Sequence, residues 1–113
     1  MKSGIEIIAE ERQRQISVEN WSLNHDVMHH TRGELAQAAA CYAMPQAERR
    51  QYQSYSKFGW FPRWWPKDWS VRWWKPSPDN RIKELAKAGA LIAAEIDRLQ
   101  QIKQLECMRQ LGL

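Results

Sequence analysis

The side chains best suited to binding chemistry lie around the boundary between the first two predicted helices. His25 and Asp26 stand in a polar turn, and Arg32 and Glu34 follow where the second helix begins. A helix N-terminus attracts anions because its first N–H groups are free and the helix dipole is positive there. We therefore predict a site for a phosphate-bearing ligand in this part of the chain. It would comprise Arg12, Gln15, Trp21, His25, Asp26, Arg32 and Glu34.

Metal chemistry is the second possibility in the same region. His25 and His29 have the four-residue spacing that suits a metal on a helix, but they lie in a turn, so hydrogen bonds that fix the turn are the favoured interpretation. Carboxylates from different helices can also hold a divalent cation. Neither Glu34 nor Glu84 is followed by a second acid three or four residues along the chain. We therefore predict no catalytic residue and no metal site, and keep Mg²⁺ at Glu34 and Glu84 as the alternative.

The segment 45–78 offers a third kind of chemistry, because it mixes cations with aromatic rings. It holds seven basic residues, two acidic residues and ten of the aromatic residues of the chain. Such a segment can stack nucleic-acid bases while Lys and Arg contact phosphates. Its Trp side chains can equally cover a helical core while the cations extend to solvent. Both interpretations stay open, and for the ligand site we assign Trp73 and Trp74 as a stacking wall.

Three main helices would position these side chains in an all-α fold. Their predicted bounds are about 4–19, 32–44 and 79–106. Ser3 and Glu6 have capping-box spacing at the start of the first helix, and Thr31 and Glu34 repeat it at the second. Pro45 ends the second helix. Because no strand pattern is present, we expect a single helical domain spanning 1–113.

The third predicted helix carries the strongest apolar pattern in the chain. Its apolar positions recur at alternating intervals of three and four, the spacing of one buried helix face. They are Ile82, Leu85, Gly89, Ile92, Ile96 and Leu99. Small residues such as Ala86, Ala90 and Ala94 stand beside this stripe and would let another helix approach closely. We expect the stripe to be buried and the small bundle to be completed by a homo-oligomer.

The connector, residues 45–78, is predicted to wrap over the bundle. A connection this long without structure is rare in a compact domain, and six exposed Trp side chains would form a large apolar patch. We therefore expect a short helix at about 46–56, an extended path from Trp60 to Pro76, and most of the Trp side chains packed on the bundle. Pro62 and Pro66 favour that path, because residues that precede proline avoid helical backbone angles.

Composition excludes several classes of protein. The chain has 113 residues, a net charge of +4 and 27% charged residues, a mixture unlike that of a disordered tail. No apolar run reaches the roughly 18 residues of a membrane span, and no apolar segment has the form of a secretion signal. Two cysteines, Cys41 and Cys107, form no disulfide framework. We expect a cytoplasmic protein with no membrane partner.

Several segments follow one another in the order of a known family. They are Glu11-Arg12-Gln13-Arg14-Gln15, Trp21, Gly33-Glu34-Leu35, and Lys83-Glu84-Leu85-Ala86 with Ala90–Leu99. In this order the chain resembles small MazG-like members of the all-α nucleoside triphosphate pyrophosphohydrolases. The resemblance implies a helical, commonly oligomeric fold and a nucleoside triphosphate held through Mg²⁺, with Glu34 and Glu84 as the matching acids. Gln37 and Lys87 replace two further acids of the family pattern, which favours binding without turnover.

A second set of segments covers the chain from about Ile8 to Leu99. They are Glu19-Asn20-Trp21, His25-Asp26, His29, Gly33-Glu34-Leu35-Ala36, Ala38-Ala39-Ala40-Cys41-Tyr42-Ala43, Trp73-Trp74-Lys75-Pro76 and Lys87-Ala88-Gly89-Ala90-Leu91-Ile92. These segments resemble a family of small phage and prophage proteins. The resemblance implies a phage-type protein that works in the cytoplasm of the host cell.

The leading hypothesis is therefore a phage-type protein that binds a phosphate-bearing, nucleotide-like small molecule without turnover and sequesters a defence signal. Three alternatives are kept. The first is a Mg²⁺-dependent nucleotide pyrophosphohydrolase that uses Glu34 and Glu84. The second is an inhibitor that binds a host protein through the Trp-rich surface. The third is a nucleic-acid binder, whose affinity would fall steeply with salt.

Overall fold

A computed structural model describes residues 1–19 and 31–112. Its elements are α1 (Gly4–Ser17), α2 (Glu34–Ala43), α3 (Gln46–Gln51), β1 (Gln53–Ser56), β2 (Gly59–Pro62), a 3-10 turn (Val71–Trp73) and α4 (Arg81–Gln110). The described residues are 62% helical, which confirms a mainly helical fold in which α1, α2 and α4 are the three predicted helices. Within these ranges, no helix combines the length and the apolar character that a membrane crossing requires.

The two predicted capping boxes have different outcomes. At α1 the box is present: the hydroxyl of Ser3 accepts a hydrogen bond from the backbone N–H of Glu6, and the Glu6 carboxylate accepts one from the Ser3 N–H. At α2 the predicted box of Thr31 and Glu34 is wrong. Gly33 is the N-cap residue instead, with a φ of 82° and no side-chain hydrogen bond, because glycine adopts this left-handed conformation without strain.

The connector contains a β-hairpin, although the sequence predicted only helix and extended chain there. β1 and β2 pair antiparallel, with Tyr55 opposite Trp60 and Ser56 opposite Gly59. Gly59 has a φ of 108°, and the hydroxyl of Ser56 donates to its carbonyl at 3.1 Å, so the two-residue turn closes. The rings of Tyr55 and Trp60 lie 5.0 Å apart and stabilise this short sheet. The preceding helix, α3, therefore ends at Gln51 rather than near residue 56.

α4 is the centre of the fold, since both α1 and α2 pack against it. Its buried face is formed mainly by alanines, together with Leu91, and this face packs on Leu35 and Tyr42 of α2. The prediction that the larger apolar stripe is buried is wrong for five of its six residues. These are Ile82, Leu85, Ile92, Ile96 and Leu99, with exposed fractions from 45% to 65%. Small side chains allow closer helix packing, so α4 presents its alanines to α2.

Gly89 is the one member of the stripe that faces another element. A Cβ atom at this position would lie 2.5 Å from Cδ1 and 2.7 Å from Cγ1 of Ile8, distances far inside van der Waals contact. The missing side chain therefore creates the space that Ile8 of α1 occupies. Ile5, one turn earlier on α1, stays exposed.

The Trp side chains of the connector divide into two groups. Trp65 and Trp69 are buried and belong to the core cluster, and Trp74 is partly buried against it. Trp60, Trp64 and Trp73 are exposed by 40% to 62%. The expectation that most of them cover the bundle therefore holds for half of the six, and the other half are available for contacts.

Candidate ligand-binding site

A polar cavity lies where α1, α2 and α4 meet the end of the connector. Its volume is about 260 Å³, close to the lower end of the range for small-molecule sites. The residues that line it are Arg14, Gln15, Glu19, Tyr42, Trp73, Lys75, Lys87 and Leu91. The structure thus brings together two residues of the predicted site, Gln15 and Trp73, with six that were not assigned to it.

Tyr42 joins the connector to the helices at this cavity. Its hydroxyl oxygen accepts a hydrogen bond from the backbone N–H of Lys75 at 3.0 Å, and its hydroxyl faces the carbonyl of Trp73 at 3.5 Å. Burial raises the pKa of Tyr42 to about 12, so at neutral pH the hydroxyl keeps the proton that it donates to the Trp73 carbonyl. The side chain of Tyr42 therefore holds both connector residues of the cavity, Trp73 and Lys75, in place.

The ammonium group of Lys87 lies beside Tyr42. The Nζ atom of Lys87 donates to the carbonyl of Lys75 at 2.8 Å and lies 5.4 Å from the centroid of the Tyr42 ring. Partial burial lowers the pKa of Lys87, and the nearby charge of Lys83 lowers it further. An ammonium has three N–H donors, so Lys87 has more donors than this one bond uses. The ammonium of Lys75 forms no hydrogen bond or ion pair with the residues that the structure describes.

Arg14 forms a more rigid part of the cavity wall. Its Nε atom lies 2.9 Å and 2.8 Å from the two carboxylate oxygens of Glu11, and its NH1 atom lies 3.5 Å from Oε1 of Glu19. The hydrogen bonds that Arg14 donates to Glu11 raise the pKa of Arg14 above its ordinary value despite partial burial, and the charge of Glu19 adds to this effect. Because two acids neutralise this guanidinium, we assign it to holding the wall rather than to binding an anion.

The side chain of Gln15 contains a hydrogen-bond acceptor without a partner. Gln15 is 2% exposed, and within the described ranges its Oε1 atom accepts no hydrogen bond. A buried polar atom left in this state costs about 1–3 kcal/mol. Gln15 lines the cavity, but its Oε1 atom is shielded from solvent, so this oxygen belongs to the packed wall and does not face a bound molecule.

The remaining predicted residues on the described helices serve local roles. The guanidinium of Arg12 lies 3.8 Å from the Asp97 carboxylate. That of Arg32 lies 3.8 Å from Asp68, and both of these side chains are highly exposed. Glu34 accepts a hydrogen bond from the backbone N–H of Arg32 at 2.7 Å, so its carboxylate stabilises the start of its own helix.

Trp74 and the turn residues complete the comparison with the predicted site. The ring of Trp74 packs 4.6 Å from that of Tyr42, with the Arg49 guanidinium 5.3 Å away. It is a member of the core packing and does not line this cavity. Trp21, His25 and Asp26 lie outside the described residues.

Glu34 and Glu84, the acids of the alternative magnesium site, are far apart. Glu34 begins α2, whereas Glu84 is on α4 and lies near the other end of α2. Arg81 links Glu84 to that end: Arg81 donates to Glu84 at 3.2 Å and to the Tyr42 carbonyl at 2.8 Å. A ten-residue helix is about 13 Å long from first to last residue. Burial favours a protonated Glu84, but the Arg49 and Arg81 hydrogen bonds outweigh it and lower the pKa. No group of three His, Cys, Asp or Glu in the described ranges could hold a metal ion.

One signal in the sequence points to the lysine that the site prediction missed. Lys87 is the only charged residue between Leu85 and Ala94, a stretch otherwise made of small and apolar residues. A single lysine within an otherwise apolar helical stretch indicates that the helix contacts water or a polar group at that position. Lys75 gave no comparable signal, because it is one of seven cations in the connector.

Comparison of the chain with protein-family models, with curated proteins and with solved structures finds no match. A function must therefore be derived from the chemistry of the cavity itself.

Proposed function

We propose that this protein binds a phosphate-bearing, nucleotide-like small molecule in the cavity between α1, α2 and α4, without turnover. One observation carries the proposal: a half-exposed tryptophan, two lysines and a buried glutamine line a single cavity. They are Trp73, Lys75, Lys87 and Gln15. Among the described lining residues, Arg14 is neutralised by Glu11 and Glu19, so Lys75 and Lys87 supply the positive charge that favours an anionic ligand.

The tryptophan and the two lysines each have a role toward one part of a nucleotide. Trp73 is 48% exposed, so its ring is available to stack on a base, a contact worth about 1–3 kcal/mol. Lys75 and Lys87 would pair with the phosphate. Tyr42 would hold Trp73 and Lys75 in position, since its hydroxyl donates to the Trp73 carbonyl and accepts from the Lys75 N–H.

The same geometry favours binding over hydrolysis. Among the lining residues that the structure describes, Glu19 is the only one with a carboxylate, and it is paired with Arg14. Glu34 and Glu84 lie at opposite ends of α2 and therefore do not form a shared magnesium site. In a phage setting, a protein that binds a nucleotide and leaves it intact would act by sequestering a signal.

A thermal-shift screen tests the proposal. Nucleoside mono-, di- and triphosphates and cyclic dinucleotides would be compared with the matching phosphate-free nucleosides. We expect at least one phosphate-bearing compound to raise the melting temperature, because a ligand that binds only the folded state stabilises it. The Trp73→Ala and Lys75→Ala proteins should lose the shift, and the matched Trp60→Ala and Lys67→Ala controls, whose residues lie outside the cavity, should keep it. The absence of a shift with every compound, or equal loss in the controls, would refute the proposal.

The hairpin surface supports a second candidate function, binding to a host protein. Tyr55, Phe58 and Trp60 are exposed by 55% to 69%, and the cations of Lys57 and Arg72 lie 5.2 Å and 5.3 Å from the Phe58 ring centroid. Large exposed aromatic patches mark interaction sites, and the cations suit an acidic partner surface.

Tagged proteins used as bait in host lysate would separate the two functions. If the hairpin binds a host protein, the parent chain and Trp73→Ala should recover the same protein, and a Phe58→Ser/Trp60→Ser double variant should not. Recovery that is equal for all three baits would contradict a hairpin interface.

A further inference from the structure

The exposed face of α4 carries a row of large aliphatic side chains. This Ile/Leu stripe comprises Ile82, Leu85, Ile92, Ile96 and Leu99, all exposed by 45% or more. Seventeen residue steps of helix span about 26 Å, so the stripe extends over more than half of α4. A soluble chain rarely leaves a contiguous apolar surface of this kind in water unless another molecule covers it.

We infer that a second copy of this chain covers the Ile/Leu stripe, so that the protein is a homodimer joined through α4. The stripe follows a seven-residue repeat, which is the repeat of helices that pack along one another. Its one gap is Gly89, and Ile8 of α1 fills that gap, so the apolar surface is continuous across it.

The surroundings of the stripe favour an identical partner. The charged residues Glu84 and Arg98 are buried on other faces of α4, and Lys87 lines the cavity. The stripe itself contains no charged residue from Ile82 to Leu99, and the two charges that continue its repeat, Lys103 and Glu106, have opposite signs. Its best complement is another uncharged apolar stripe, and a second copy supplies one through two-fold symmetry.

The area available is sufficient for a specific dimer. The exposed parts of the five side chains, counted for two copies, amount to about 1,000 Å² of apolar surface, the size at which interfaces become specific. α4 continues past the stripe to Gln110, but the next positions of the repeat are the charged residues Lys103 and Glu106, so the apolar interface ends at Leu99.

The dimer interface and the ligand cavity are independent of each other. Lys87 and Leu91 line the cavity from a face of α4 that the stripe does not share, so a second copy would leave the cavity open. A dimer that binds no nucleotide would refute the proposed function and leave the dimer proposal intact. A monomer that binds nucleotide would refute the dimer proposal and leave the proposed function intact.

Sedimentation equilibrium over a hundredfold range of protein concentration tests this inference. We expect the mass of two chains, with dissociation on dilution. Ile92→Glu and Ile96→Glu place a charge in the interface and should weaken association by at least about a hundredfold. Lys83→Glu adds a carboxylate to an exposed position of α4 outside the stripe and should leave the dimer intact.

Circular dichroism checks that loss of the dimer is not caused by unfolding of a variant. Both Ile positions are exposed in the single chain, so the Glu variants should fold as monomers with unchanged helix content; if one does not fold, Ile92→Ser and Ile96→Ser replace it. A parent protein that is monomeric at all concentrations overturns the inference. The inference is also overturned if Ile92→Glu and Ile96→Glu form a dimer as stable as that of the Lys83→Glu control.

Discussion

The buried carboxylate of Glu84 gives the most closely defined prediction for stability. Glu84 is fully buried, and its two oxygens accept hydrogen bonds from three donors: Arg49 at 2.8 Å, Arg81 at 3.2 Å and the backbone N–H of Ser77 at 3.0 Å. This network connects α4 with α3 and with the connector next to Lys75. We predict that Glu84→Gln strongly destabilises the protein.

The magnitude follows from the donors that surround the side chain. In glutamine one carboxylate oxygen becomes an NH₂ group, which would face an N–H donor instead of accepting from it. Arg49 is only 7% exposed at its side chain, so it would also lose its buried counter-ion. Breaking a buried ion pair in this way costs about 3–5 kcal/mol, a large part of the roughly 5–15 kcal/mol by which a domain is stable.

The lowered pKa of Glu84 adds a dependence on pH. The pKa of a glutamate in an unfolded chain is about 4.3. A carboxyl whose pKa is lower than this in the folded state stabilises the fold at pH values above the unfolded pKa. That stability is lost as the pH falls through the lower pKa of the folded state. Glu84→Gln removes a titrating group, so this contribution to acid unfolding should disappear in the variant.

Urea denaturation followed by tryptophan fluorescence measures both effects, because Trp65 and Trp69 are buried reporters. Glu10→Gln is the matched control, since Glu10 and Lys2 form an exposed ion pair whose loss costs about 0–1 kcal/mol. If Glu84→Gln lowered the free energy of unfolding at pH 7 by no more than this control, the reasoning would be refuted.

Three further predictions concern single side chains. Gly89→Ala should lower stability by about 1 kcal/mol because its Cβ would collide with Ile8, and the same change in an Ile8→Ala background should instead raise it by about 1 kcal/mol through helix propensity; urea melts of the four proteins give the sign. Burial raises the pKa of the Cys41 thiol to about 11, so iodoacetamide at pH 8 should modify only exposed Cys107 in the folded protein, and mass spectrometry showing two adducts without denaturant would contradict this. Gln15→Met removes the unpartnered buried acceptor and should stabilise the protein by up to about 1 kcal/mol; urea melts of the variant and the parent measure the difference, and a destabilised variant would contradict the reasoning.

The parts of the fold that local patterns determine could be predicted from the sequence. The capping box of Ser3 and Glu6 fixes where α1 begins, and Pro45 marks the end of α2. The hairpin could not be predicted, because four-residue strands are too short to show alternation and Gly59 alone defines the turn. Thr31 and Glu34 have capping-box spacing, but Gly33 between them takes over the cap.

The orientation of α4 shows why periodicity alone does not identify a buried face. The helix has two candidate faces, one with Ile and Leu and one with Ala, and hydrophobicity favours the first. Close packing of α2 selects the second, since alanines allow shorter distances between helix axes. The choice depends on tertiary contacts, which spacing along one chain does not record.

The cavity was only partly predictable for a related reason. Gln15 and Trp73 were assigned to the predicted site as a polar residue and an aromatic wall, and both line the cavity. Lys87 and Tyr42 are not among the residues predicted for the site, because they reach the cavity only through the packing of α2 on α4. Arg12 and Arg32 bear the charge suited to phosphate, but the fold pairs them with Asp97 and Asp68.

Isothermal titration calorimetry of the nucleotide with the largest thermal shift is the most direct test of ligand binding in this cavity. The parent protein would be compared with Trp73→Ala and with Trp60→Ala, and the phosphate-free nucleoside would be titrated in parallel. We predict that Trp73→Ala weakens the affinity about 5- to 150-fold, the equivalent of one stacking contact, that Trp60→Ala does not change it, and that the nucleoside binds much more weakly. Equal affinities for Trp73→Ala and the parent protein, or for nucleoside and nucleotide, would contradict a nucleotide site at this cavity.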